Sequence, residues 1–456
     1  MDDTPAPAEG AARPADGLEW NDGFQEVMEL AEEGRRCIFV TGKAGTGKST
    51  LLQQIKKTLL HKAVVLAPTG VAAVHVGGQT IHSFFRFPPH VLFPEAVHRL
   101  NGSGLLRKLQ TVIIDEISMV RADILDAIDI QLRRFGPERS LPFGGVQMIF
   151  FGDLHQLPPV VSPHEMEAFK SIYESPWFFK ANVFSKQPFD RVDLKKIYRQ
   201  KEKRFVSLLN VIRSGEAEQE DLEALNVRMD AAFQPEESLP TITLTATNSS
   251  ADRVNSRKLE ELPTHLALYA AQVQGEFEPR LYPTDEPLGL KVGAQVMFLK
   301  NHSAGNWVNG TLGVVAAMDA DAIWVHLPAD AHAHAGRAVR GGNVDPHAGP
   351  LGAMRVEKAV WESVRYVLDP ETGRVVPKPV GRFTQFPLKL AWAMTIHKSQ
   401  GKTFERVIID LGHGAFAHGQ SYVALSRCTT LDGITLRRPL SGRDLMIDPE
   451  VREFLA

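Results

Sequence analysis

The run CIFVTGKAGTGKST, residues 37–50, decides how the rest of the chain is read. Ile38, Phe39 and Val40 form a short apolar stretch of the kind that makes a buried strand. Gly42 to Ser49 then spell G-x-x-x-x-G-K-S, a phosphate-binding loop. Gly42, Gly45 and Gly47 let the backbone curl so that its N–H groups face an anion. Lys48 is placed to reach the β- and γ-phosphates of a nucleotide, and Ser49 offers a hydroxyl to Mg²⁺. The residues from Thr50 to Leu60 read as a helix whose N-terminal dipole favours the same phosphates. Strand, loop and helix in that order separate this motif from a glycine-rich turn with a chance lysine.

Working outward, strands alternate with helices. Ala63–Ala67 is a second strand, ending in Pro68-Thr69-Gly70. Thr111–Asp115 is a third, ending in Asp115-Glu116, and Gln147–Phe151 a fourth, running into GDLHQLPP. Arg121–Phe135 is an amphipathic helix, as is Glu19–Glu33 before the phosphate loop. Such alternation predicts an α/β fold with a parallel sheet covered on both faces. Ligands then gather outside the carboxyl ends of the strands, where all these polar clusters fall. After about residue 190 the α/β texture restarts, with a helix over 204–213 and a strand over 241–247. From about 262 to 387 short alternating runs separated by Gly and Pro indicate an all-β module. The α/β texture returns at 388, with strands near 406–411 and 433–436 and a helix near 420–427. No internal repeat is evident by eye.

The chain has 456 residues, 43% hydrophobic and 23% charged, enough for two to four domains with large cores. A net charge of −3 excludes bulk basicity as a route to nucleic acid, so any such groove is a local strip. Cys37 and Cys428 form no metal pattern and predict a reducing, cytoplasmic setting. No membrane span or signal peptide is expected. Residues 1–18 read as a disordered tail. The stretch 329–351 reads as a mobile loop whose His332, His334 and His347 lack the partners of a metal site.

Several positions carry candidate chemistry. Asp115 is placed to hold Mg²⁺, and Glu116 to orient and deprotonate an attacking water. Gln156 is suited to positioning water beside a γ-phosphate and reporting that phosphate. Arg199 and Arg427, both expected from the second half, offer transition-state charge across a domain cleft; surface ion pairing is the bland alternative for each. Gln25 is either an adenine contact or a solvated helix residue. Thr395-Ile396-His397-Lys398-Ser399-Gln400-Gly401 is dense in small hydrogen-bonding groups, as are Thr69, Thr80, His82 and Ser83. Such groups grip the phosphates of a single strand without reading bases. Phe84 and Phe85 either stack bases or pack in the core.

With these clusters in order, the chain resembles superfamily-1 DNA helicases, above all the petite-integration-frequency (Pif) family and more distantly RecD. The segments that carry the resemblance are GKAGTGKST, APTGVAAVHVGGQTIHSFF, IIDEISM, FGDLHQLPPV, IYRQ, VNGTLGVV, LAWAMTIHKSQGKTFERVIID and YVALSRCTTLDGITL, spanning residues 42–436. The resemblance implies two RecA-like domains, at 19–189 and at 190–261 with 388–456. It implies a Src-homology-three-like barrel inserted at 262–387 and a short wedge at 87–105. It implies ATP and Mg²⁺ between the domains, single-stranded DNA across their top, 5′-to-3′ movement, action on forked or structured duplexes, and a monomer. Nucleotide contacts are implied at Gln25, Gly42, Ala44, Gly45, Thr46, Gly47, Lys48, Ser49, Thr50 and Gly401. DNA contacts are implied at Pro68, Thr69, Gly70, Thr80, His82, Ser83, Phe84 and Asn248, and at Thr395, His397, Lys398 and Ser399. The glutamine motif is matched only loosely at Gln25. A strand-displacing motor, a translocase that clears proteins, and an ATP-gated binding switch all remain compatible with these motifs; a nucleotide kinase lacks a substrate lid here.

Overall fold

The computed structural model describes residues 21–34, 37–59, 62–99, 104–184, 187, 189–200, 202–236, 239–328 and 350–456. The expected N-terminal tail and His332, His334 and His347 lie outside the described residues.

The first domain is built on a parallel sheet of six strands: β1 (Cys37–Gly42), β2 (Ala63–Ala67), β3 (Gln79–Thr80), β4 (Thr111–Ile114), β5 (Gln147–Phe151) and β6 (Asp190–Leu194). Their order is β3-β2-β4-β5-β1-β6, with every pairing parallel. The central strands are apolar throughout because both faces are covered. Successive side chains alternate between two cores: Phe39, Leu66, Ile114 and Phe150 enter one, Val40, Val65, Ile113 and Ile149 the other. Helices α1 (Asp22–Glu33) and α2 (Lys48–Thr58) cover the second face; α3 (Gly70–Val76), α4 (Ile81–Phe85) and α5 (Pro94–Arg99) are short, and α6 (Ala122–Phe135) fills the first.

Two expectations change here. β6 pairs with β1, so the first sheet runs past residue 189 to Leu194. Its DRVDL sequence buries only Val192 and Leu194, the alternation of an edge strand, which hides it from a search for apolar runs. The 87–105 excursion is also less free than a wedge implies. Phe87, Val91, Leu92, Val97, Leu105 and Leu106 are buried in the main core, and Asp123 of α6 accepts from the Leu92 N–H at 2.9 Å.

After α7 (Met166–Lys170), the second domain opens with α8 (Lys203–Ser214) and α9 (Gln219–Asn226), whose apolar faces enter its core, and continues with β7 (Ile242–Thr245) and α10 (Asn248–Glu261). The insertion follows as β8 (Ala267–Tyr269), β9 (Gln272–Gly275), β10 (Leu288–Leu290), β11 (Gln295–Phe298), β12 (Leu312–Met318), β13 (Ile323–His326), β14 (Ala353–Val356), β15 (Ala359–Leu368), β16 (Val375–Gln385) and β17 (Leu388–Leu390). Five strands form an antiparallel sheet, β14-β13-β12-β11-β17, and the β10-β8 pair packs on it through Leu288 and Leu290. The module is therefore all-β, and β17 carries it to Leu390, past the expected limit at 387. The chain then completes a second parallel sheet, β18-β7-β19-β20, with β18 (Ala393–Thr395), β19 (Val407–Asp410) and β20 (Ile434–Leu436). Helix α11 (Gln420–Leu425) is buried beneath it.

Two segments cross back to the first domain. The long β15–β16 hairpin brings Tyr366 and Val375 into the first domain's core. The terminal helix α12 (Pro449–Leu455) does the same: Phe454 stacks on Phe179 at 4.2 Å and Asp448 accepts from the Trp177 indole at 2.8 Å. The chain end assigned to the second domain thus roots in the first.

Candidate functional site

The phosphate loop is shaped by backbone. Gly45 and Gly47 sit at φ 80° and 86°, where other residues are strained. Gly45 also has no room: a Cβ there would stand 2.5 Å from the Arg199 Cβ. Lys48 folds onto the loop, donating to the Gly42 and Lys43 carbonyls at 2.7 and 3.1 Å. Burial lowers its pKa, opposed by Asp153 and Glu116. Thr46 Oγ1 is spent on the Lys43 carbonyl, while Ser49 and Thr50 are exposed. The Ala44 N–H donates to the Tyr422 hydroxyl at 3.0 Å, so a residue of α11 already touches the loop. Gln25 is exposed and pairs with Glu29 at 2.9 Å; from α1 it is Phe24 that lies under Gly47.

At the end of β4, burial and Glu116 push the Asp115 carboxyl up to about 7, and burial raises Glu116 as well. Glu116 adopts φ 50°, a conformation costly for a non-glycine residue. The Asp115 carboxylate accepts the Glu116 N–H at 3.0 Å. Ser49 and Asp115 are hard oxygen donors of the kind Mg²⁺ takes together with phosphate oxygens and water. Among the described residues no group of three or more His, Cys, Asp or Glu forms a protein-only cage.

Gln156 is buried, its amide donating to Asp153 Oδ2 at 3.1 Å. Asp153, inside the GDLHQLPP motif, is the centre of this corner. It accepts from the His155 N–H at 3.2 Å and from Arg213 of α8 at 3.0 Å. Burial alone would raise its pKa, but Arg213, His155 and Lys48 outweigh that and hold it well below the usual carboxylate range. Sequence reasoning missed Asp153, Arg213 and Tyr422. The first was legible as the acidic residue closing β5; the other two have no local signal.

The two arginines both reach the cleft, from different places. Arg199 follows β6 directly and lies against Gly45, so it belongs to the phosphate-loop side rather than to the second half as expected. It crosses to the Ser426 carbonyl at 3.1 Å, and burial lowers its pKa to about 10. Arg427 comes from the second domain and is 1% exposed. Burial and Arg199 bring it down to about 9 while Glu116 pulls the other way. Its guanidinium donates to the Ser399 and Lys402 carbonyls, each at 3.3 Å, and to Ser426 Oγ at 2.8 Å.

The candidate strand-gripping residues form two loops. In the first domain Thr69 caps α3 through the Ala72 N–H and Thr80 caps α4 through the Ser83 N–H. Gly70, after Pro68, is overlain by Leu281 of the insertion. Phe85 is core, stacked on Phe87 at 5.3 Å; Phe84 packs edge-on against Phe85 and Tyr366, so neither ring is an open stacking platform. In the second domain Thr395 accepts the Lys398 N–H at 3.3 Å, and Asn248, Lys398 and Gly401 are exposed. Ser399 departs from expectation: fully buried, its hydroxyl donates to the Ile396 carbonyl at 2.7 Å, which makes it a structural bond of the loop. His82 and His397 are half-buried, and burial lowers both pKa values.

Residues 20–223 match the family model described as PIF1-like helicase. The chain is 32% identical over 452 residues to the ATP-dependent DNA helicase Pif1 of Bdellovibrio bacteriovorus, covering 97% of this chain and 92% of that protein. Seven eukaryotic relatives are longer, and the chain spans 45% to 66% of their length. Among solved structures, Pif1 from Bacteroides sp. in complex with ADP-AlF4 superposes with a TM-score of 0.84 at 36% identity, covering 96% of each chain. Bacteroides Pif1 bound to single-stranded DNA gives 0.66 at 36% identity, again covering 96% of each chain. No helix among the described residues is long and apolar enough to cross a membrane.

Proposed function

Because the chain belongs to the Pif1-like helicase family of ATP-hydrolysing DNA helicases, we propose that its two α/β domains close on ATP and hand a single strand of DNA between two phosphate-gripping loops, moving 5′ to 3′ as a monomer on forked or structured duplexes. Lys48 and the loop amides bind the triphosphate, and Ser49 and Asp115 would hold Mg²⁺, which would supply charge neutralisation to the phosphates. Glu116 takes the proton from the attacking water, Gln156 positions that water, and Arg199 and Arg427 meet the charge that develops on the γ-phosphoryl group. Thr69, Thr80, His82, Asn248, Thr395, His397 and Lys398 contact the strand.

The observation that carries this reading is the placement of Arg427. It arrives from the far domain, sits within electrostatic range of Glu116, and uses the same guanidinium to hold the carbonyls of the second gripping loop. A cation that turns toward a γ-phosphate must loosen its hold on that loop, which links the chemistry to the grip. The Bacteroides Pif1 structures without DNA give TM-scores of 0.84 and 0.83 and those with single-stranded DNA 0.66, at similar identity and coverage, a difference that follows DNA rather than nucleotide and supports domains that change relative position on the strand.

The test is steady-state ATPase with and without oligothymidine, followed by unwinding of duplexes carrying a 5′ or a 3′ tail. DNA-stimulated turnover and unwinding from the 5′ tail are expected. Equal ATPase rates in both conditions would remove the motor reading, and unwinding from the 3′ tail alone would reverse the polarity.

A further inference from the structure

The corner around Asp153 contains a residue that the motifs leave without a role. Arg213 lies at the end of α8 in the second domain, and its guanidinium reaches across to Asp153 Oδ1 at 3.0 Å. The pair is nearly dry, with side-chain exposures of 16% and 0%. The other Asp153 oxygen holds the Gln156 amide at 3.1 Å. Three groups therefore stand in line: a cation of one domain, a carboxylate of the other, and the amide nearest the proposed water position. The end of α8 also meets α12, where Arg452 donates to the Ser214 carbonyl at 3.2 Å and Ile447 fills the space beside Gly215, so it parts from α12 as well as from Asp153 when the second domain moves. Arg213 Nε is buried without a hydrogen-bond partner among the described residues, and His155 Nδ1 lies 3.6 Å from Asp153 Oδ1, beyond hydrogen-bond reach. A purely structural bridge would satisfy such atoms; unsatisfied buried groups of this kind gather at functional sites.

We propose that Arg213 is a positioning residue for ATP hydrolysis: it holds Asp153, Asp153 aims Gln156, and the amide is released when the second domain moves away. This rests on the reading of Gln156 given above. Donation of the Gln156 Nε2 to Asp153 commits the amide's donor to the carboxylate and leaves its carbonyl oxygen as the group that would accept from the attacking water. Once Arg213 withdraws, Asp153 is left buried beside Lys48, and the lysine becomes its alternative partner.

The experiment measures oligothymidine-stimulated ATPase for the full chain and for Arg213→Ala, Arg213→Lys, Gln156→Ala and the double variant Arg213→Ala/Gln156→Ala. Arg213→Ala should lower kcat about tenfold with KM for ATP within about twofold, and Arg213→Lys should recover most of that loss. In the Gln156→Ala background the arginine change should cost less than about twofold, because residues acting through one another are not additive. Multiplicative losses in the double variant overturn the proposal. So does a raised KM at unchanged kcat, which would place Arg213 on the nucleotide itself. If Arg213→Ala melts early, the same cycle with Asp153→Asn in place of the arginine variant decides by the same criterion. Absence of any DNA stimulation in the unmodified chain would instead remove the function reading on which the cycle depends.

Discussion

The two loops proposed to grip DNA are built alike and wired differently. In the first domain β2 ends in Leu66-Ala67-Pro68-Thr69-Gly70, and Thr69 caps the helix that follows. Beside it the edge strand β3 ends at Thr80, whose hydroxyl accepts the N–H three residues on, followed by the buried Ile81 and half-buried His82. In the second domain β7 ends in Leu244-Thr245-Ala246-Thr247-Asn248, and Thr247 caps α10. Beside it the edge strand β18 ends at Thr395, whose hydroxyl again accepts the N–H three residues on, followed by buried Ile396 and half-buried His397. Their connections differ. Ser399 and Lys402 carbonyls tie the second loop to Arg427 and so to the nucleotide cleft. The first loop is tied to the insertion: Tyr366 packs on Phe84, its N–H donates to Gln79 at 3.3 Å, and Gln79 donates to Ser83 at 2.8 Å. The lesson is that one candidate grip is bonded to Arg427 at the proposed nucleotide cleft and the other to the β module.

The largest expected effect comes from cutting the nucleotide connection. Arg427→Ala removes transition-state charge and also strands the Ser399 and Lys402 carbonyls. DNA-stimulated kcat should fall by about 100-fold or more, the scale on which a preorganised cation acts. Oligothymidine affinity, read by fluorescence anisotropy without nucleotide, should weaken as well, since the second loop loses its support. Normal DNA affinity in this variant would show that the loop is not held by Arg427.

The mirror experiment is Tyr366→Phe. The hydroxyl accepts from the Val65 N–H of β2 at 2.9 Å in a buried setting. Its loss leaves a buried donor unsatisfied, at a cost of about 1–3 kcal/mol. The Val65 amide should exchange with deuterium faster, and the hairpin should detach more readily from the first domain. Catalytic turnover should change far less than in Arg427→Ala. A turnover loss as deep as that of the arginine would mean that both grips report to the cleft, and the contrast would be gone.

The likeness of the loops is tested by paired Thr80→Val and Thr395→Val. Each removes one side-chain acceptor of a backbone N–H, worth about 1 kcal/mol, or roughly fivefold in DNA affinity if the loop loosens in proportion. The two losses should agree within about threefold. A silent variant on either side breaks the correspondence.

What the sequence made legible follows from how local each signal is. Gly42 to Ser49 can be read because the loop is shaped by its own residues, with Lys48 and Thr46 bonding carbonyls at most six positions away. Asp115 and Glu116 can be read as candidates because they follow the apolar strand β4 directly, and Gln156 because it lies in the polar run after β5. Arg213 and Tyr422 could not, since their partners Asp153 and Ala44 are 60 and 378 positions away, and nothing in LLNVIRSG or SYVALSR names those partners. Ser399 is hidden for a related reason: a serine in a polar loop looks available until the fold turns its hydroxyl inward. β6 joins the first sheet, a placement that an edge strand with only two buried residues does not signal. The duplicated Thr-Ile-His went unremarked as a repeat because three residues carry no weight until the two edge strands show that they occupy equivalent places.

The smallest expected effect concerns a cation lying between the two loops. Lys402 follows the second loop, donates to Asn309 of the insertion at 2.9 Å, and lies near enough to His75 of α3 to help depress that imidazole. Burial, with Lys389 contributing, lowers its pKa to about 8. The ammonium is therefore charged below pH 8 and neutral above it, and its attraction for a phosphate fades as pH rises from 7 to 9. One lost phosphate contact on single-stranded DNA should make the slope of log affinity against log salt shallower by about 0.7. The Lys402→Arg variant, charged throughout, should keep the same slope at both pH values. If the native chain also keeps it, Lys402 faces protein rather than DNA, and the strand path runs outside the seam where the two grips meet.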